Sequence, residues 1–116
     1  MTRFLVLLTE ADHFEKWDAA DDAERDRQLA CYRAFSTAVK ERGSVVGGEA
    51  LSHPATARTR RPDGTVTDGP YAEATEQVGG FYVIDVADLA TAVELAGLLP
   101  SAYTIEVREC LDVEVS

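Results

Sequence analysis

The sequence is short of basic residues, and this shortage excludes several kinds of partner. Its 116 residues include 11 lysines and arginines against 21 acidic residues, a formal net charge of −10. Binding to a nucleic-acid backbone or to an anionic membrane surface requires a basic patch. The basic cluster of Arg58, Arg60 and Arg61 is short, and Asp63 and Asp68 lie close by. We therefore expect neither nucleic acid nor a membrane as a partner.

Long hydrophobic runs and cysteines are also scarce. The longest clear apolar run, residues 4–8, is far shorter than the ~20 residues of a membrane-spanning helix. Glu10 and Asp12 follow it without the small-residue cleavage site of a signal peptide, so we expect a cytoplasmic protein. Cys31 and Cys110 are too few for a disulfide-rich secreted fold, and we expect two reduced thiols. No Cys/His spacing typical of zinc occurs, and no metal site is predicted.

The apolar content, 46% of residues, is sufficient for one domain spanning residues 1–116. Residues 3–9 predict a strand buried on both faces, because the apolar run does not alternate. The polar stretch that follows, residues 10–20, predicts an irregular segment. A helix is expected to begin near Asp21, which would also pair with the arginine four residues later, and to end at Gly43.

The middle of the chain is rich in turn residues. Residues 44–51 predict a strand with two adjacent glycines, typical of a bulge or a close backbone approach. Residues 56–61 and 65–68 predict a hairpin closed by a Pro-Asp-Gly turn. Residues 69–80 predict a loop, with a short helical turn at 72–77.

The C-terminal part completes an α+β pattern. Residues 81–86 predict a second strand that is apolar on both faces, and Asp88 begins a helix that Pro100 ends. Residues 104–115 alternate between apolar and polar, which is typical of a strand with one wet face. The order βαβ, hairpin, βαβ predicts a ferredoxin-like sandwich in which the first and third core strands are central.

Two helices cover only one face of such a sheet, yet residues 4–8 and 81–86 are apolar on both faces. A second copy of the chain, packed sheet to sheet, would cover the other face. We therefore expect a homodimer.

Several short motifs follow one another in a distinctive order. They are Gly-Glu-Ala-Leu at 48–51, Pro-Ala-Thr-Ala at 54–57, Arg-Pro-Asp-Gly at 61–64, Asp-Gly-Pro-Tyr-Ala-Glu at 68–73, Glu-Gln-Val-Gly-Gly-Phe-Tyr at 76–82 and Glu-Val-Arg at 106–108. Over nearly the whole chain this order resembles the DGPF family of YCII-related proteins. The resemblance implies a ferredoxin-like fold that forms a dimeric α+β barrel.

The same resemblance implies little about chemistry. Most members of the family have no assigned reaction, and some are encoded beside, or fused to, extracytoplasmic-function sigma factors. Related YCII proteins carry a His–Asp pair proposed as catalytic, which the resemblance does not place on particular residues here. No cofactor is implied.

The segment Asp68, Gly69, Pro70 and Tyr71 offers one candidate site. Asp68 is either an Asx-turn residue or a carboxylate held at the mouth of the barrel as a base or ligand anchor. Tyr71, which follows Gly69 and Pro70 in the loop, is a candidate ligand contact.

Glu49 and His53 offer a second candidate site. Glu49 is four residues after Val45 in the predicted strand, so the two side chains are expected on the same, apolar face. The carboxylate there either pairs with an arginine of the next hairpin or is a buried acid. Of the two histidines, His53 is preferred over His13, because it is close in sequence to Glu49 and a His–carboxylate pair can act as general acid and base. Each histidine could equally be an ordinary surface residue.

Two functions remain open at this point: a small-molecule binding or catalytic cleft in the barrel, and a non-catalytic regulatory module acting on a sigma factor. An enclosed pocket with convergent polar groups would favour the cleft.

Overall fold

The fold is a four-stranded antiparallel sheet with one long and one short helix packed on one face. The computed structural model describes residues 1–71 and 76–113. In chain order the elements are β1 (Thr2–Ala11), α1 (His13–Ala19), α2 (Asp22–Arg42), β2 (Ser44–Ala50), a 3-10 turn (Pro54–Thr56), β3 (Arg58–Arg60), β4 (Val66–Asp68), β5 (Glu76–Val86), α3 (Leu89–Ala96) and β6 (Thr104–Glu109).

The strand order β2-β5-β1-β6 puts β1 and β5 in the centre and β6 at an edge. This order confirms the predicted ferredoxin-like α+β fold. The hydrophobic core lies between one face of the sheet and the helices α2 and α3. Its buried apolar side chains are Phe4, Val6, Leu8, Phe35, Val39, Ile84, Val86, Ala92, Leu95, Ala96 and Leu99.

Local interactions set the ends of helices α2 and α3. The Asp21 carboxylate accepts the Glu24 backbone N–H at 2.8 Å, as an N-cap does, and Asp88 caps α3 in the same way. Gly43 ends α2 as predicted, but with an extended backbone. A Cβ there would lie 1.9 Å from the Asp85 carbonyl oxygen, so only glycine lets α2 end so close to β5.

Three predicted boundaries were wrong. Residues 10–20 are not irregular, because β1 continues to Ala11 and α1 follows at once. Residues 76–80 are strand rather than loop, since β5 pairs with β1 as far as Ala11 opposite Glu76. The last strand ends at Glu109. Strand pairing with a central partner overrides the low strand propensity of glycine at 79 and 80. The predicted helical turn at 72–77 lies partly outside the described residues.

Two bulges alter which side chains share a face. One lies between Leu8 and Thr9 of β1, and the other follows Val45 in β2. Val45 pairs with Ile84 on the helix-covered face, whereas Glu49 pairs with Phe81 and falls on the opposite face. The expectation that Val45 and Glu49 share a face was therefore wrong.

The β3–β4 hairpin forms a separate two-stranded sheet with the predicted Pro-Asp-Gly turn. Gly64 has φ 90°, a left-handed backbone that glycine adopts without strain. Cys31 and Cys110 are free thiols. Across residues 1–71 and 76–113, no helix is both long and apolar enough to cross a membrane.

Candidate functional site

A cleft of about 480 Å³ opens between α1, the N-terminal half of α2 and the sheet at β2 and β5. Aromatic side chains make up much of its wall: Trp17, Tyr32, Tyr82 and Tyr103. Leu8, Leu29 and Leu51 add aliphatic surface. A largely apolar concavity with a few polar groups is the usual form of a small-molecule site. We call this concavity the cleft.

Glycines on one side of the cleft let neighbouring groups lie directly against the strand backbone. In β5, Gly79 is the extra residue of the bulge opposite Leu8, beside Gly80, and both glycines line the cleft. In β2, a Cβ on Gly48 would lie 2.9 Å from Cδ1 of Tyr82. The missing side chains let ring systems approach the strands closely.

His13 reaches the cleft because of a sharp change of direction after β1. Asp12 adopts φ 54°, a left-handed conformation that aspartate tolerates better than most residues. The turn brings His13, the first residue of α1, back over the bulge of β5. A Cβ on Gly79 would lie 2.6 Å from His13 Nε2, so the imidazole rests directly on the glycine backbone. The ring centroid of His13 is 5.5 Å from that of Tyr103.

A carboxylate stands beside this imidazole. Glu10 Oε2 lies 3.9 Å from His13 Nδ1, and the two side chains are only 11% and 12% exposed. Lys16 Nζ approaches the other carboxylate oxygen of Glu10 at 3.7 Å. A carboxylate next to one ring nitrogen orients a histidine and leaves the other nitrogen free to exchange a proton. The pair can thus act as a general acid and base toward a molecule in the cleft.

Two tyrosine hydroxyls meet at the same site. The Tyr32 and Tyr103 oxygens are 2.5 Å apart and share a hydrogen bond. Burial raises the pKa of both phenols above the ordinary value near 10, and their mutual hydrogen bond raises that of Tyr32 further. Both hydroxyls therefore stay protonated near neutrality. Only one of their two hydrogens is used between them, which leaves the other for a ligand oxygen.

Trp17 is held in the cleft wall by an arginine of α2. The Arg25 guanidinium lies 5.2 Å from the indole centroid and donates to the Trp17 carbonyl at 2.8 and 3.2 Å. A further bond goes to the Asp18 carbonyl at 3.3 Å. The expected pairing of Arg25 with Asp21 is replaced by this contact, which fastens the end of α1 to α2.

Of the residues predicted as one site, Glu49 borders the cleft along β2, but its side chain falls on the opposite face of the sheet with Phe81, and His53 does not line the cleft. His53 packs against Phe14 of α1, with ring centroids 5.2 Å apart, and its Nε2 lies 4.0 Å from Glu15 Oε1. Its Nδ1 accepts the Ala55 backbone N–H at 3.1 Å. The structure thus brings His13, rather than His53, to the cleft that Glu49 borders.

The second predicted set lies on the β3–β4 hairpin. The Asp68 side chain is 90% exposed and pairs with Arg58 at 3.6 Å. Gly69, with φ 93°, donates its N–H to Ala57 O at 2.7 Å. Pro70 follows, and Tyr71 is 78% exposed. None of these four residues is among those that line the cleft within the described chain, so their role as a site stays a prediction.

His13 was ranked below His53 from the sequence, and Glu10 and the tyrosine pair, which come from separate elements, were missed. One signal was available. The glycine pair in the apolar strand of residues 76–86 indicates a close approach, and here the approaching group is the His13 ring.

Comparison with known proteins agrees with this architecture. The family model of the YCII-related domain matches residues 2–113. The chain belongs to the YCII-related family. An uncharacterised protein of Rhizobium meliloti (strain 1021) is 33% identical over 96 residues, which cover 79% of this chain and 77% of that protein. These similarities establish the family without assigning an activity.

Proposed function

We propose that this YCII-related protein binds a small molecule in the cleft, and that His13 exchanges a proton with it. The observation that carries the proposal is the convergence of His13, Glu10 and the Tyr32–Tyr103 hydroxyl pair on one largely apolar concavity. Converging titratable groups in a cleft are typical of binding or catalytic sites and rare on ordinary surfaces.

The arrangement suits proton transfer better than nucleophilic chemistry. The imidazole can take or give a proton, and the neutral phenols can donate a hydrogen bond to an oxygen on which charge develops. The roles of Glu10 and His13 are an orienting acid and a general acid–base.

Blocking the cleft tests this function. Ala50 lines the cleft, so Ala50→Phe would fill it, while Ala55→Phe adds the same ring to the exposed 3-10 turn. A library of small metabolites is screened for thermal stabilisation of the parent and of both variants. Ligands of the parent should lose their effect in Ala50→Phe and keep it in Ala55→Phe. Equal stabilisation of all three proteins would place the ligand elsewhere, and no ligand at all would favour the regulatory role beside a sigma factor.

We further propose that the protein is a homodimer formed through the uncovered face of the sheet. Leu5 pairs with Val83 and Leu7 with Phe81 on the face opposite α2 and α3, and these apolar side chains are only half-buried. The chain measures 44 × 44 × 20 Å, a thickness that fits one sheet and one helix layer. A second copy would bury this apolar face, over about 1,500 Å² or more in total.

Sedimentation at micromolar concentration tests the dimer. The parent should sediment as a dimer, and Leu7→Lys should shift it toward monomer by placing a charge in the interface. Leu111→Lys, at a position 82% exposed beyond β6, should not. A parent that sediments as a monomer would contradict the sheet-to-sheet packing.

A further inference from the structure

From the charges and hydroxyls around the cleft, we infer that it selects an uncharged aromatic ring compound with an oxygen acceptor and rejects anions. This inference rests on the proposed function, because it names the ligand class of the same cleft. It adds what the family match does not contain: a chemical class that can be tested with simple probes.

The charge around the cleft is negative. Glu10 lies behind His13, and the whole chain carries −10. A carboxylate or phosphate entering such a site would meet like charges in a partly desolvated place, where repulsion is stronger than in water.

No lysine or arginine is among the described residues that line the cleft, and the sequence has none at 72–75 or 114–116. Two cations approach from outside it. Lys16 is paired with Glu10 at 3.7 Å, and the Arg25 guanidinium is bonded to the backbone carbonyls at the end of α1. Sites for anionic metabolites usually present arginine or lysine directly, so the lining argues against an anionic ligand.

The shape and lining favour a flat ring. Trp17 and Tyr103 offer ring surfaces in the cleft wall. Aromatic ligands gain from stacked or edge contacts with such rings.

The tyrosine pair adds a requirement for an acceptor oxygen on the ligand. Tyr32 and Tyr103 share one hydrogen bond at 2.5 Å and keep one hydroxyl hydrogen for another acceptor. A ligand carbonyl or ether oxygen can accept that hydrogen, while a pure hydrocarbon leaves it without a new partner. The cleft should therefore prefer a ring with an acceptor oxygen over the same ring without one.

Three probes of one shape separate these requirements: acetophenone, benzoate and toluene. Trp17 is the only tryptophan, so its indole N–H gives a single NMR resonance that needs no assignment. The indole lies in the cleft wall, so this resonance reports binding there. Each probe is titrated at about pH 8, above the ordinary range of a free imidazole. Acetophenone should bind at least tenfold more tightly than benzoate and about fivefold more tightly than toluene.

Two variants and a control test the causes. The double variant Tyr32→Phe, Tyr103→Phe should remove most of the advantage of acetophenone over toluene, because it leaves neither phenol hydrogen for the ligand. Glu10→Gln should narrow the gap between acetophenone and benzoate by severalfold, whereas Glu41→Gln, an equal charge change far along α2, should not.

The outcomes separate this inference from the function beneath it. Benzoate binding as tightly as acetophenone would overturn the ligand class and leave the cleft as a binding site. Toluene binding as tightly as acetophenone would overturn the oxygen requirement. If none of the three probes moves the Trp17 resonance, the cleft itself fails as a site, and the ligand class fails with it.

Discussion

The cleft and the β3–β4 hairpin hold the two sets of candidate site residues, and they are built in opposite ways. In the hairpin, Asp68 to Tyr71 are consecutive in sequence, and the end residues are 90% and 78% exposed. At the cleft, Glu10, His13, Tyr32 and Tyr103 come from three separate parts of the chain and are largely removed from water. A motif that is easy to read in a sequence thus forms a turn, while the converging polar groups are assembled only by the fold.

The largest effect is expected where backbone and imidazole touch. Gly79→Ala should destabilise the protein by about 1–3 kcal/mol, since a Cβ 2.6 Å from His13 Nε2 must push the ring away. Gly47→Ala, where a Cβ meets nothing within 4 Å, should be neutral or slightly stabilising. Urea unfolding at one fixed protein concentration measures both.

A double-mutant cycle shows whether the ring is the cause. In a His13→Ala background the Gly79→Ala cost should fall below about half, because the space above the strand is vacant. If Gly79→Ala lowers the free energy of unfolding equally in both backgrounds, the substitution disturbs the strand alone. Contact with the His13 ring would then not explain why glycine occupies this position.

The next largest effect should be a loss of stability at alkaline pH. Because burial raises the pKa of Tyr32 and Tyr103, the folded chain keeps protons above pH 10 that the unfolded chain loses. The stability that these two protonated phenols contribute is fully present below the ordinary phenol pKa of 10. It is lost as the pH rises toward the pKa values of the folded state. Tyr103→Phe should cost about 1 kcal/mol near neutrality and show a shallower alkaline decline. Urea unfolding across this range would contradict the account if both proteins declined in parallel.

A smaller effect should follow from loosening α1. Arg25→Lys removes the two-pronged contact with the Trp17 carbonyl and should destabilise the chain by about 1 kcal/mol, while Arg33→Lys on the exposed side of α2 should change little. Trp17 fluorescence should report a wetter indole in Arg25→Lys only. Identical spectra for both variants would show that α1 is held in place by other contacts.

The smallest effect is expected in the hairpin. Asp68→Asn should alter stability by less than about 0.5 kcal/mol, because its contact with Arg58 is an exposed ion pair. Acetophenone binding then decides between the two regions. An unchanged affinity favours the cleft, and a tenfold loss, roughly 1.4 kcal/mol, would restore the hairpin carboxylate as part of the site.

Much of the fold could be predicted because its signals are local. The unbroken apolar run at residues 4–8 indicates a central strand, Asp21 and Asp88 mark helix starts, and Gly64 marks the hairpin turn. Each depends on a few neighbouring residues and on backbone preferences that hold in most contexts.

The site could not be predicted in the same way, because it depends on tertiary placement. The short helix α1 has no side-chain N-cap and follows a left-handed aspartate, so its polar sequence resembles a loop. The bulge after Val45 changes the face of Glu49, and a one-residue shift of this kind is invisible in strand parity. His13 and Tyr103 are 90 positions apart and meet only when β6 pairs with β1.

A crystal structure of the protein grown with acetophenone tests the central claim most directly. The account predicts ligand density in the cleft, with the ring against Trp17 and Tyr103 and the oxygen within hydrogen-bond distance of the Tyr32–Tyr103 pair. Density on the β3–β4 hairpin beside Asp68 and Tyr71, with the cleft empty, would contradict it.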